Sequence, residues 1–144
     1  MILDDEYYMR LALAEAEKAY ELGEIPVGCV VVAQDRIIAK THNLTEQLID
    51  VTAHAEVQAI SAAANHIGGK YLKNCTMYIT LEPCVMCAGA LYWSQISKVV
   101  IGATDEKRGY ISAGLQLHPK TEIVTGVLSE ESQAILQDFF KQRR

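Results

Sequence analysis

Two short motifs of this 144-residue chain carry side chains that can bind a metal ion. His54 and Glu56 form an H-x-E motif, and Pro83, Cys84 and Cys87 form a P-C-x-x-C motif. Histidine nitrogen and cysteine sulfur are ligands that suit zinc. Cysteines three residues apart at a helix start can direct both sulfurs to one ion, and the helix dipole favours their thiolates there. We therefore predict that His54, Cys84 and Cys87 bind zinc.

A zinc site with three protein ligands differs in function from a site with four. Structural sites are normally closed by four ligands, whereas catalytic sites keep a position for water, whose pKa the metal lowers to about 7. Glu56 can take a proton from such a water and pass it to a leaving group, so the set predicts hydrolysis. The other cysteines and histidines stand apart and offer no convincing fourth ligand: Cys29, Cys75, His42, His66 and His118.

Two other interpretations of these motifs are a closed structural zinc site and a thioredoxin-like redox pair. The first needs a fourth ligand and gives Glu56 no role. The second explains the C-x-x-C but has no need of an H-x-E partner. Both are therefore weaker than a catalytic zinc site.

The elements that must position these residues alternate between helices and strands. Apolar periodicity and turn residues predict five strands, at 27–32, 36–41, 76–80, 97–101 and 122–127. Four helices lie between and around them, beginning near Asp4 or Asp5, Thr52, Pro83 and Ser129, with Gly23 and Gly68-Gly69 as ends of the first two. Pro83 suits the first position of the third helix. This order predicts an α/β fold, a three-layer α/β/α domain with a mixed five-stranded sheet.

The composition fits one domain over residues 1–144, because half of the residues are hydrophobic and can bury a core. Acidic residues occupy the start, where a secretory signal would carry basic charge, and no apolar run is long enough to cross a bilayer. We expect a soluble cytoplasmic protein with no membrane partner and no disulfides. Cys29, inside an apolar strand, is expected to be a buried core thiol.

The formal net charge of −5 argues against an extensive nucleic-acid surface, because phosphate binding usually leaves a basic one. It does not exclude a local basic patch. The residues that could form such a patch stand in a pair before the fifth strand and at the chain's end: Lys107, Arg108, Lys141, Arg143 and Arg144.

The two motifs together make the sequence similar to the zinc-dependent cytidine and deoxycytidylate deaminase superfamily, whose signature is H-x-E followed by P-C-x-x-C. The similarity spans nearly the whole chain and is strongest to bacterial members that act on tRNA, through residues 24–28, 52–56, 80–90, 101–105 and 138–144. It implies a cytidine deaminase-like fold, Zn²⁺, and hydrolytic conversion of adenosine to inosine at the wobble position of a tRNA anticodon. It also implies a homodimer in which the helix with Cys84 and Cys87 packs at the interface.

The resemblance also implies roles for further residues. Asn43, at the end of the second strand, corresponds to the amide that binds the base, and Pro26 and Val27 correspond to the wall of the base pocket. Asp105 corresponds to an aspartate in a loop that touches the nucleic acid. The backbone N–H groups of Ala55 and Cys84 correspond to groups that polarise the attacking water or the intermediate, and Glu56 corresponds to the proton shuttle.

Two alternative functions remain open at the level of sequence, and one segment departs from the family. Tyr92-Trp93 is similar to a pair in guanine deaminases of the same superfamily, so a free base or nucleoside, guanine first and cytosine second, is an alternative substrate. The segment from Lys107 to Glu122 is shorter than in the bacterial tRNA enzymes, which weakens the transfer of RNA contacts. A catalytically inactive subunit that kept its zinc is the second alternative, and the presence of Glu56 argues against it.

Overall fold

The computed structural model describes residues 3–143, which form four helices and five strands. The helices are α1 (Asp5–Glu21), α2 (Ala55–Ile67), α3 (Val85–Ser94) and α4 (Ser129–Gln142). The strands are β1 (Gly28–Ala33), β2 (Arg36–His42), β3 (Cys75–Leu81), β4 (Lys98–Ala103) and β5 (Glu122–Thr125). Their order along the chain is the predicted one.

The strands form one mixed sheet in the order β2-β1-β3-β4-β5. β1 runs antiparallel to β2 and β3, whereas β4 runs parallel to β3 and β5. Helices α1 and α4 contact each other on one face of the sheet, and α2 and α3 contact each other on the opposite face. The predicted three-layer α/β/α architecture with a mixed five-stranded sheet is therefore confirmed.

The central strand β1 shows why the sheet is covered on both sides. Val30 and Val32 pack with α1, while Cys29 and Val31 pack with the residues of α2 and α3. Both sets are buried, which is typical of a strand between two helical layers. Cys29 is a core thiol as predicted, and all four cysteines are free.

Three predicted helix caps or first positions differ from the structure by one or two residues. Thr52 does not cap α2, because its N–H and its hydroxyl both donate to Asp50 in the preceding loop. His54 is the N-cap of α2 instead. Pro83 is not the first residue of α3; it precedes the N-cap, Cys84, and its carbonyl accepts the N–H of Tyr110 at 3.0 Å.

The third difference is at α4, where the sequence predicts Ser129 as the N-cap. Leu128, at φ 55°, is the N-cap, and Ser129 is the first helical residue. The start of α1 is as predicted, because Asp4 accepts the N–H of Tyr7 at 2.8 Å. Within residues 3–143, every helix is too short or too polar to cross a membrane.

Candidate metal centre and active-site cleft

Two helix starts meet at the predicted metal centre. His54 is the N-cap of α2, Cys84 is the N-cap of α3, and Cys87 follows in the first turn of α3. An N-cap side chain normally accepts a backbone N–H of its own helix. Neither His54 nor Cys84 makes that bond, so both side chains extend toward the space between the helices.

The separations of these side chains fit a tetrahedral zinc ion. His54 Nδ1 lies 3.7 Å from Cys84 Sγ and 3.5 Å from Cys87 Sγ. Zinc–sulfur bonds of about 2.3 Å and zinc–nitrogen bonds of about 2.0 Å at tetrahedral angles would place the two atoms about 3.6 Å apart. Among the residues that the structure describes, these three form the group whose ligand atoms converge within 4.8 Å.

The electrostatics of this group favour a thiolate. The neighbouring thiol of Cys87, together with His54, lowers the pKa of Cys84 to about 3. Cys84 therefore carries negative charge at neutral pH, next to the positive ends of two helix dipoles. A thiolate is the form of cysteine that binds zinc.

Glu56 is the second residue of α2 and borders the same space as the three ligands. Its residue is 4 % exposed, and burial raises the pKa of its carboxyl group to about 7. A carboxyl group in this range can both accept and donate a proton near neutral pH.

Asn43 lies beside Glu56 and has a structural role that the sequence did not reveal. Its Oδ1 accepts the N–H of Ala55 at 3.0 Å, so it satisfies the first backbone N–H of α2. Its amide nitrogen donates to the carbonyl of Ile25 at 3.0 Å. One amide N–H and one oxygen lone pair remain for a substrate. The Ala55 N–H, in contrast, is already donated to Asn43, which contradicts the expectation that it polarises a water.

These residues open into a cleft of about 1330 Å³ between the two helix starts and the last helix. Val27 lines the cleft as predicted, and its neighbour Ile25 does so as well. Pro26 is buried beside Val27 and does not border the cleft, so a role for it in base binding stays a prediction. His54, Glu56 and Cys84 line the cleft, and Cys87 is buried next to them; we call these four residues the floor of the cleft.

Four of the five predicted basic residues border this cleft, and all four are exposed: Lys107, Arg108, Lys141 and Arg143. We call them the rim. Arg144 lies outside the described residues. Arg143 is also tied to the fold, because it donates to the carbonyl of Gly23 at 2.9 Å and its guanidinium lies 4.7 Å from the centre of the Phe139 ring.

Asp105 borders the cleft next to the rim. Its Oδ1 accepts the backbone N–H groups of Lys107 and Arg108 at 3.1 and 3.0 Å. The aspartate therefore shapes the turn that presents two rim cations. A contact between Asp105 and nucleic acid stays a prediction.

The sequence interpretation missed two buried carboxylates near the cleft. Glu24 and Glu82 accept backbone N–H groups from the loops that follow β2 and β4. The available signal was a charge inside an apolar context, since Glu82 stands between a buried strand and the C-x-x-C motif.

Comparison with known proteins agrees with this geometry. Residues 3–103 match the cytidine and deoxycytidylate deaminase zinc-binding region. This chain belongs to that deaminase family. Its cofactor is zinc, and the His54, Cys84 and Cys87 group is the part of the described chain that fits the ion.

Three relatives within the deaminase family illustrate its range. The chain is 42 % identical to a tRNA-specific adenosine deaminase of Aquifex aeolicus, over 96 % of this chain and 95 % of the relative. A structure from a study of A-to-I editing by tRNA:A34 deaminases at the wobble position is 38 % identical, with a TM-score of 0.84, over 90 % of this chain and 99 % of the other. The guanine deaminase of Bacillus subtilis is 35 % identical, with a TM-score of 0.69, over 78 % and 71 %.

The Tyr92-Trp93 pair, which is similar to a pair in guanine deaminases, lies away from the cleft. Both residues are exposed near the end of α3, their rings pack edge to face at 5.6 Å, and neither lines the cleft. Within the described residues, the pair is therefore separate from the cleft.

Proposed function

We propose that this deaminase converts adenosine to inosine at the wobble position of a tRNA anticodon. The observation that carries the proposal is one open cleft with a metal-binding floor and a cationic rim. Pockets for small molecules usually have volumes of about 300–1000 Å³, and this cleft is larger. Its exposed cations suit the phosphates of a nucleic-acid strand. The relatives named as tRNA-specific adenosine deaminases support the same substrate.

The floor residues divide the chemistry between them. His54, Cys84 and Cys87 hold the metal. Zinc in such a site lowers the pKa of a water molecule toward 7 and so supplies the nucleophile for hydrolysis. The reaction forms a C6–O bond and breaks the C6–N bond of adenine, with release of ammonia.

Glu56 moves the proton in this scheme. Its carboxylate takes a proton from the attacking water and then delivers it to the departing amino group. The buried position beside the metal group keeps the carboxylate within reach of both atoms. Glu56 ends the cycle in its starting protonation state.

The base is held by the wall beside the floor. Asn43 has one amide N–H free of its bonds to Ala55 and Ile25, and this group can donate to a purine nitrogen. Val27 and Ile25 supply apolar contact. An adenine must leave its stack to reach this depth, which suits the single-stranded loop of an anticodon.

The experiment that tests the proposal is ammonia release from a panel: an anticodon stem-loop with a wobble adenosine, free adenosine, free guanine and free cytosine. We expect turnover of the stem-loop to exceed that of the free compounds and to fall as salt rises. Guanine deamination is the second candidate, favoured by the 35 % identity to the Bacillus subtilis enzyme. Salt-independent turnover of guanine above that of the stem-loop would replace the proposal. Zinc content without ammonia release from any member would indicate an inactive subunit.

We further propose that the protein is a homodimer that packs through α3. Val85, Tyr92 and Trp93 form an exposed apolar stripe on this helix, and Trp93 is 75 % exposed. Large exposed apolar patches are typical of interaction surfaces. Sedimentation equilibrium should give twice the chain mass, and Trp93→Glu should shift the protein to monomer with its zinc retained. A wild-type monomer at micromolar concentration would contradict the dimer.

The proposed substrate places the protein in the cytoplasm. The four free cysteines support this location, because reduced thiols are typical of that compartment.

A further inference from the structure

Glu82 is a buried carboxylate that spans the two ends of the loop bearing Lys107 and Arg108. It is 5 % exposed and follows β3 directly. Its Oε1 accepts the N–H of Asp105 and its Oε2 accepts the N–H of Ile111, both at 3.0 Å. Charge-assisted bonds of this kind are stronger than neutral ones, and they fix the separation of the two donors.

The turn between these two anchor points is held by a second layer of bonds. The N–H of Asp105 donates to Glu82, and the side-chain Oδ1 of Asp105 accepts the N–H groups of Lys107 and Arg108. Its carbonyl accepts the N–H of Gly109 at 2.9 Å. The backbone N–H groups of Lys107 and Arg108 are therefore connected to Glu82 through Asp105.

Gly109 gives an independent sign that the loop must lie close to Glu82. A Cβ at this position would be 2.0 Å from Glu82 Oε2 and 2.5 Å from the carbonyl oxygen of Asp105. Any side chain would push the loop away from the carboxylate. The absence of a side chain at residue 109 thus allows the two anchoring bonds to form.

We propose that Glu82 is a positioning residue for nucleic-acid binding, which fixes the turn so that Lys107 and Arg108 face the substrate's phosphates. It acts through the turn and does not touch the reacting atoms. The inference rests on the proposed function, because the rim cations need a nucleic-acid substrate. It assigns a role to a charge that the floor chemistry does not use.

The decisive variant is Glu82→Gln. An amide keeps one acceptor oxygen, but its NH₂ group opposes a backbone N–H, so one anchor is lost. We expect KM for the stem-loop to rise roughly tenfold, with kcat and zinc content unchanged. The slope of log(kcat/KM) against log[salt] should become shallower by about 1.4, since each lost contact to a single strand contributes about 0.7.

Two further variants separate positioning from general stability. Gly109→Ala disturbs the same contact from the loop side and should reproduce the rise in KM and the shallower salt slope. Glu24→Gln is the matched control: Glu24 is 1 % exposed and accepts the N–H groups of Glu46 and Gln47, in a turn without lysine or arginine. It should lower the melting temperature and leave the salt slope unchanged.

Two outcomes would overturn the inference. Loss of zinc or of kcat in Glu82→Gln, with an unchanged salt slope, would mean that Glu82 supports the adjacent Cys84 segment instead. An unchanged salt slope in a folded Gly109→Ala variant would also contradict it. The wild-type protein tests the proposed function separately, because a wild type that leaves the stem-loop unmodified would overturn that function before any variant is compared.

Discussion

The floor and the rim of the cleft are built in different ways. The floor side chains are buried or half-buried and are set by two helix starts, so their positions follow from the packing of α2 and α3 on the sheet. The rim side chains are exposed and are set by a loop and by the last turn of α4. Buried groups at a metal act together, whereas exposed charges act additively and are screened by salt. Substitutions in the floor should therefore abolish turnover, whereas each substitution in the rim should lower the affinity for the substrate by a smaller amount.

The largest effect is expected for Cys84→Ala. Removal of one of three metal ligands should eliminate bound zinc and, with it, turnover of every substrate, because the nucleophile is no longer supplied. Elemental analysis and ammonia release measure both. Cys29→Ala is the control, since this buried thiol lies in the core and should cost roughly 1 kcal/mol of stability while zinc is kept. A Cys84→Ala protein with a full complement of zinc would refute the assignment.

Glu56→Gln should separate metal binding from proton transfer within the floor. The variant should keep its zinc and fold but lose about 10²–10⁴ in kcat, the usual contribution of a positioned acid or base. Single-turnover rates at saturating stem-loop provide the measurement. If the variant retains most of its rate, another group moves the proton.

The double change Lys107→Ala with Arg108→Ala should affect the rim alone. We expect a rise in KM for the stem-loop and a salt slope shallower by about 1.4, with kcat and zinc content preserved. Turnover of a free base, where detectable, should not change. A fall in kcat equal to the rise in KM would mean that the rim takes part in the chemistry.

Arg143→Ala should differ from the other rim variants, because it should lower the stability of the fold as well as the affinity for the substrate. Its bond to the Gly23 carbonyl connects α4 to the end of α1, and its guanidinium packs on Phe139 of its own helix, so its loss should also lower stability. A cation–π contact contributes about 0.5–1 kcal/mol, which corresponds to a melting temperature lower by roughly 2–4 °C. Lys141→Ala is the control on the same helix and should leave the melting temperature unchanged.

The smallest effect is expected for Glu15, a buried carboxylate of α1. Burial alone would raise its pKa, but hydrogen bonds from Lys18 and His42 outweigh burial and lower it. The stability it contributes is therefore present above its ordinary pKa of 4.5 and is lost as pH falls through the lower folded value. Wild type should unfold at higher urea than Glu15→Gln at neutral pH, and the difference should shrink as the pH falls below the ordinary pKa of the carboxyl group. A difference that grows toward low pH would contradict this sign.

The sequence was informative where function depends on local spacing. The C-x-x-C and H-x-E motifs identified the floor, and alternating apolar periods identified every helix and strand in order. It failed where a residue is fixed by a distant partner. Thr52 is a separate case: threonine favours helix caps, but here its N–H and hydroxyl both donate to Asp50, only two residues earlier. No local pattern shows that Asn43, which follows β2, accepts the first backbone N–H of α2 twelve residues later.

The buried carboxylates were missed for the same reason. Glu24 bonds residues more than twenty positions away, and Glu82 does likewise. A charged side chain is normally predicted to be exposed. Only the three-dimensional arrangement of backbone N–H donors explains why these two carboxylates are buried.

The use of N-cap positions for His54 and Cys84 has a consequence for folding. A good capping side chain stabilises a helix by about 1 kcal/mol, and neither residue makes a capping bond to its own helix. The ion thus connects two helix starts, and its binding free energy is coupled to the folding of both. Chelation should therefore speed hydrogen exchange first at the beginnings of α2 and α3. Metal supply in the cell would then set the lifetime of the folded protein as well as its activity.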